Sequence, residues 1–265
     1  DLANTGVQGL TRGYGEAVDN FTGIISGQDN AEIILAIGQP YGKKNGVLVT
    51  KDNKSSGQLY SWGKNKNGGR IYIGLFDKQS GSVSNLEIGG DIYAGALLAK
   101  GTCYIGAIAG NLTGNAPLDN VISSVSIYAS VITDNTDHSK LLKVGGMYGS
   151  MPGNSNLTLD GNTTSLAKIT VSGGTTDGHA RIGGVIGNID SSASNVTVDC
   201  NSATLSAKLT KSDGRNAYMG GLIGVIEPAD SAKRTINIKG LTVSDSTINT
   251  GKSTSGTCGG MLGYL

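Results

Sequence analysis

One octet recurs five times at a nearly constant interval, and this recurrence limits the fold more than any other feature. Its copies are Ile105 to Leu112 (IGAIAGNL), Val144 to Met151 (VGGMYGSM), Ile182 to Ile189 (IGGVIGNI), Met219 to Ile226 (MGGLIGVI) and Cys258 to Leu265 (CGGMLGYL). Their first glycines stand at 106, 145, 183, 220 and 259, giving spacings of 39, 38, 37 and 39. A period of this length marks an array, in which each unit is one small module that buries its apolar face only against its neighbours.

Between octets the pattern has the period of a strand. Asn156 to Leu159 (NLTL), Asn195 to Val198 (NVTV) and Thr235 to Ile238 (TINI) alternate polar and apolar residues, as half-buried strands do. A second alternation follows in each unit, at Ala167 to Val171, Leu205 to Leu209 and Val243 to Ile248. Polar loops such as Ser172 to Ala180 close the units, and stripes of helical period are nearly absent. Each unit therefore reads as three short strands and one long loop. Stacked at the ~4.8 Å spacing of paired strands, such units run parallel and give an all-β solenoid. Glycine has a physical task in it: where coils turn over one another, a Cβ would strike the neighbouring backbone.

Composition agrees. Of 265 residues 43 are glycine, about 16% against an ordinary ~7%. Fourteen of them fill the fifteen glycine slots of the five octets, and Ala107 takes the last slot. Lysine and arginine (21) nearly cancel aspartate and glutamate (20), so the chain lacks the field that gathers nucleic acid. No run of 18 apolar residues exists to span a membrane as a helix. The regular coils are expected over residues 101–265. Residues 1–100 read as irregular N-terminal coils or a cap, with a polar insertion at 41–67, the whole being one continuous domain. The chain starts at Asp1 and ends on Leu265 inside an apolar pattern, so it reads as a segment of a larger protein.

Several further pieces carry a family resemblance. Phe21-Thr22-Gly23 through Gly27, then Tyr72-Ile73-Gly74-Leu75-Phe76, then Ser82-Val83-Ser84-Asn85-Leu86, precede the repeated octets. In this order, over residues 20 to 265, the chain resembles the GLUG-motif repeat proteins. Asp77 and Ala107 stand where that pattern has glycine. The resemblance implies a right-handed β-helix in a secreted or surface-anchored bacterial protein of adhesin type, and it carries no catalytic residues to transfer.

Candidate chemistry is sparse. Cys103 and Cys258 lie near octets four coils apart, about 19 Å at ~4.8 Å per coil, too far for a disulfide. Cys103, Cys200 and Cys258 are therefore expected as isolated thiols packed inside. There is no zinc-type cysteine pair, and His138 and His179 are the only imidazoles. Asn135-Thr136-Asp137, Gly178-His179 and Arg181-Ile182 resemble fragments of the motifs of pectin-degrading β-helix hydrolases. The Asp-Asp pair of those enzymes is missing, however, and no carboxyls spaced for glycoside hydrolysis stand out on neighbouring coils. Asp134, Asn135, Asp137 and Asp177 are oxygen donors in loops, without a calcium motif around them. Thr158, Thr197 and Thr235 fall at similar places in their units, but ice-binding solenoids need a second aligned threonine column, which is missing. Tyr60 and Trp62 form the one local aromatic pair, beside the basic run Lys64 to Arg70, and are the candidate binding residues.

The expectation is a non-enzymatic, extracellular β-solenoid on a bacterial cell surface, without metal or cofactor, serving as a rigid scaffold or adhesin. Its expected partner is a host or cell-surface glycan or protein, not nucleic acid or the membrane interior. Open solenoid ends invite end-to-end self-association. The alternative is a carbohydrate-binding or polysaccharide-degrading β-helix module.

Overall fold

A computed structural model describes residues 25–37, 43–44, 47–48, 70–79, 81–97, 102–132, 141–152, 155–173, 180–191, 195–211, 217–228, 235–251 and 256–265. It is a parallel β-solenoid, and no helix occurs among the described residues. Three sheets make up its walls. Sheet I stacks Arg70–Ile73, Thr102–Gly106, Leu141–Gly145, Ala180–Gly183, Ala217–Gly220 and Gly256–Gly259. Sheet II stacks Phe76–Gln79, Ala109–Leu112, Tyr148–Met151, Ile186–Ile189, Ile223–Ile226 and Leu262–Tyr264. Sheet III is eleven-stranded, with Ile25–Ile37 and the long Val83–Leu97 at its N-terminal side. Strands such as Asn195–Asp199 and Thr204–Lys211 follow in it coil by coil. One short antiparallel hairpin, Lys43–Lys44 with Val47–Leu48, lies within the polar insertion.

Each regular coil has four strands rather than the three expected from the sequence. The octet supplies two of them, because its chain bends in the middle. In the third copy Ala180–Gly183 ends at the glycine pair, Gly184 and Val185 make the bend, and Ile186–Ile189 resumes. The bends stack: Met147 N–H donates to Val185 C=O at 3.0 Å, Val185 to Leu222 at 2.9 Å and Leu222 to Met261 at 3.0 Å. The bend also explains the glycines. A Cβ on Gly146, Gly184 or Gly221 would come under 3.0 Å from the carbonyl oxygen of the glycine one coil on.

Registers are in step from coil to coil, so like residues form columns. Ile105, Val144, Ile182, Met219 and Cys258 make one column in sheet I. Ile108, Met147, Val185, Leu222 and Met261 follow one another along the bends, and the first four are 0–1% exposed. In sheet III the alternation expected from sequence holds: Leu205, Ala207 and Leu209 are buried, whereas Thr204 and Lys208 face out. Where the two halves of sheet III meet, Asn85 (φ 53°), Asn120 (φ 53°), Asn201 (φ 39°) and Gly240 (φ 60°) take the left-handed conformation. Asparagine and glycine tolerate that conformation, and Asn120 Nδ2 donates to Asn85 Oδ1 at 3.0 Å, tying adjacent coils at the corner.

Two expectations need correction. Cys103 and Cys200 are buried, but Cys258 is exposed, because it lies on the outermost strand of sheet I with no described coil beyond it. The threonines also fail to align: Thr158 pairs with Asp199, Thr197 with Asn156, and Thr235 with Asn195.

Candidate functional site

Tyr60 and Trp62 lie outside the described residues, as do His138, His179, Asp134, Asn135, Asp137 and Asp177. The polar chemistry that the described structure does assemble sits elsewhere, along the facing columns of sheets I and II.

In sheet I the column runs Tyr72, Tyr104, Lys143, Arg181, Tyr218 and Thr257. Tyr72 and Tyr104 stack at 4.9 Å between centroids, Lys143 Nζ lies 5.0 Å from the Tyr104 centroid, and Lys78 Nζ lies 5.2 Å from that of Tyr72. In sheet II the matching column is Lys78, Asn111, Ser150, Asn188, Val225 and Tyr264. Because the octet doubles back between the two strands, Arg181 meets Asn188 seven residues later and donates to its Oδ1.

Two carboxylates close this ladder. Asp190 follows Ile189, and Glu227 follows the paired Ile226, so they occupy the same place on adjacent coils; Glu227 N–H donates to Ile189 C=O at 2.9 Å. Lys143 Nζ reaches Asp190 Oδ1 at 2.8 Å and Glu227 Oε1 at 3.4 Å. Arg181 pairs with Glu227 as well, Ser150 Oγ donates to Asp190 Oδ1 at 2.9 Å, and Ser191 N–H donates to Glu227 Oε2 at 3.1 Å. Burial lowers the pKa of Arg181, and the Asp190 carboxylate opposes that shift. The cluster thus links three consecutive coils through neutralising cation–carboxylate contacts. Asp190 Oδ1 and both oxygens of Glu227 are engaged by cations and donors from neighbouring strands, so this pair is arranged for bridging coils.

The sequence contained these residues without showing that they meet. Asp190 and Glu227 lie 37 positions apart, one repeat period, and each is the residue that follows an octet. Aligning that position was the available signal. The aromatic and cationic column was legible in the same way, as the residue before the last apolar position of each sheet I strand.

A second carboxyl pair lies on the outer surface, at the corner of sheet III. Asp119 and Asp160 flank paired positions, Leu118 with Leu159, and hydrogen-bond to one another. Asp160 also accepts the Asn120 N–H at 2.9 Å and the Thr163 hydroxyl at 2.7 Å. That hydrogen bond and the charge of Asp160 raise the pKa of Asp119. For Asp160, burial pushes upward, but the bonds from Thr163, Asn120 and Asp119 together pull its pKa down. The two carboxyls are thus driven apart, one toward the protonated and one toward the ionised form.

Among the described residues no group of three or more His, Cys, Asp or Glu side chains is placed to hold a metal ion. No helix among them is long and apolar enough to cross a membrane. Comparison of the chain with family models, with curated proteins and with solved structures finds no match.

Proposed function

We propose that the chain is a rigid, non-catalytic β-solenoid segment of a bacterial extracellular protein, serving as scaffold or adhesive surface. The observation that carries this reading is the Lys143–Asp190–Glu227–Arg181 ladder. It joins three consecutive coils through buried and half-buried charges, which stiffens a rod. The resemblance to GLUG-motif repeat proteins supports the surface location, and a glycan or protein of a host or neighbouring cell is the partner such a rod would meet. The test is labelling of intact source cells with antibodies to the chain, together with binding of the purified chain to cells, matrix proteins and a glycan array. Surface labelling and saturable binding are expected; labelling that needs permeabilised cells would overturn the location.

The alternative, a carbohydrate-binding or polysaccharide-degrading face, draws no support from Asp119 and Asp160, which hydrogen-bond to one another and so stand closer than the ~5 Å or more that glycoside hydrolysis needs between its two carboxyls. New reducing ends or unsaturated products from a polysaccharide panel would establish that alternative and sink the scaffold.

A further inference from the structure

Lys143 holds its amine almost out of water against two carboxylates at once. Its side chain is 5% exposed, and Nζ lies 2.8 Å from Asp190 Oδ1 and 3.4 Å from Glu227 Oε1. The ring of Tyr104, paired with Lys143 from the preceding coil, has its centroid 5.0 Å from Nζ. Two further groups donate to the same Asp190 oxygen: the Ser150 hydroxyl at 2.9 Å and the Asn188 side-chain amide. The amine and the carboxyl come from different sheets and different coils, Lys143 from Leu141–Gly145 and Asp190 from the end of Ile186–Ile189.

Burial disfavours an ammonium and a carboxylate and favours the neutral amine and acid, the forms that condense with one another. Groups held in contact also react at effective concentrations that reach on the order of 10⁵ M or more, which draws toward the amide a condensation that dilute water disfavours.

We propose that Lys143 and Asp190 join in an amide bond that staples two adjacent coils. The Lys143 nitrogen attacks Cγ of Asp190, one bond beyond the oxygen it touches. A C–N bond forms and the bond from Cγ to one Asp190 oxygen breaks. That oxygen leaves as water, carrying two of the three ammonium protons. Glu227 accepts a proton from the ammonium and returns it to the departing oxygen, while Ser150 and Asn188 hold the oxygen that stays. Before the step the cluster contains two cations and two carboxylates; after it only Arg181 and Glu227 are charged, and they are paired. Neutrality is kept with half the charge removed.

Two other contacts show why this one is reactive. Arg181 takes the place of Lys143 one coil on and meets Glu227, but a guanidinium does not give up its proton and stays an ion. Lys208 and Asp245 lie 3.2 Å apart but are 56% and 79% exposed, so water keeps both charged.

The intact mass of purified wild-type chain tests the bond. It should be lighter than the sequence requires by one water, and a tryptic digest should contain a branched peptide joining Lys143 to Asp190. Lys143→Arg and Asp190→Ala, checked for folding by circular dichroism, should have the full masses of their sequences. Asp190→Asn should lose one ammonia in place of water, which identifies the carbon attacked. In freshly translated protein, closure should be at least about 100-fold slower in Glu227→Gln than in wild type. Folded wild-type chain that keeps its full mass would overturn the proposal. So would loss of ammonia from wild type, which places the bond on an asparagine, or loss of water that persists in Lys143→Arg. An unchanged rate in Glu227→Gln would overturn the proton relay. The bond adds its own stability, so the ion-pair cost of Glu227→Gln is measured against wild-type chain that has not yet closed. These masses report the bond alone and do not depend on where the chain is displayed or what it binds.

Discussion

The inner coils and the outermost coil carry the same octet, yet the same positions live in different environments. Leu222 is fully buried, whereas Met261, its counterpart one coil on, is 42% exposed. Gly221 sits where any Cβ would press on the next carbonyl, whereas Gly260 faces open space. Met219 lies in the core, whereas Cys258, next in the same column, is exposed. Residue type is nearly constant along these columns, so the difference comes from the neighbour. In a solenoid a side chain is buried by the coil above it, and the stability of any one coil is set largely by the interfaces on its two sides.

The sharpest way to break this comparison is at the glycines. Gly221→Val should lower stability by at least about 3 kcal/mol, roughly 6–12 °C in Tm for a chain of this size, because backbone must move. Gly260→Val should cost about 0.5 kcal/mol or less. Equal losses in thermal melts would show that the two coils do not differ as their contacts imply.

The charged pairs give a smaller contrast. Glu227 is 20% exposed and faces both Lys143 and Arg181, so Glu227→Gln removes the carboxylate paired with Arg181 and the more distant of the two at Lys143, and should cost about 2 kcal/mol. Lys208 and Asp245, 3.2 Å apart toward the C-terminal end, are 56% and 79% exposed, and Asp245→Asn should cost about 0.5 kcal/mol or less. Urea midpoints of the two variants measure this, and the gap should narrow in high salt if exposed charge accounts for the Glu227 effect.

The thiols give the smallest effect and the most direct readout. In the folded chain Cys258 should react quickly with a maleimide at pH 8, while Cys103 and Cys200 react only on unfolding. Burial pushes Cys103 up to about 12, and burial together with Asp199 pushes Cys200 up to about 11. An unfolded thiol ionises near 9, so above that pH the folded chain holds the extra proton and stability falls as pH rises toward about 12. Cys103→Ala should remove its share of that alkaline slope. Rapid labelling of Cys103 in the native chain would contradict the burial on which the argument rests.

Much of the fold was legible from particular residues. The octet glycines showed the period, NLTL, NVTV and TINI showed strands with one buried face, and Ile108 to Met261 showed a stacked column. The division of the octet into two strands was not legible, because an apolar run of eight has no period of its own, and the bend at Gly184 and Val185 follows from stacking on other bends. The site was less legible still. Lys143, Asp190 and Glu227 are ordinary surface residues in a linear reading, and they meet only because the register places positions one repeat apart side by side.

By itself, then, the amino-acid sequence determined that this chain builds repeating parallel strands, since glycine spacing and alternation are local properties that survive without knowledge of any contact. The tertiary structure alone decided which charges neutralise one another and which cysteine is left outside. Those outcomes depend on register and on the presence of a neighbouring coil, and neither exists until the coils are stacked.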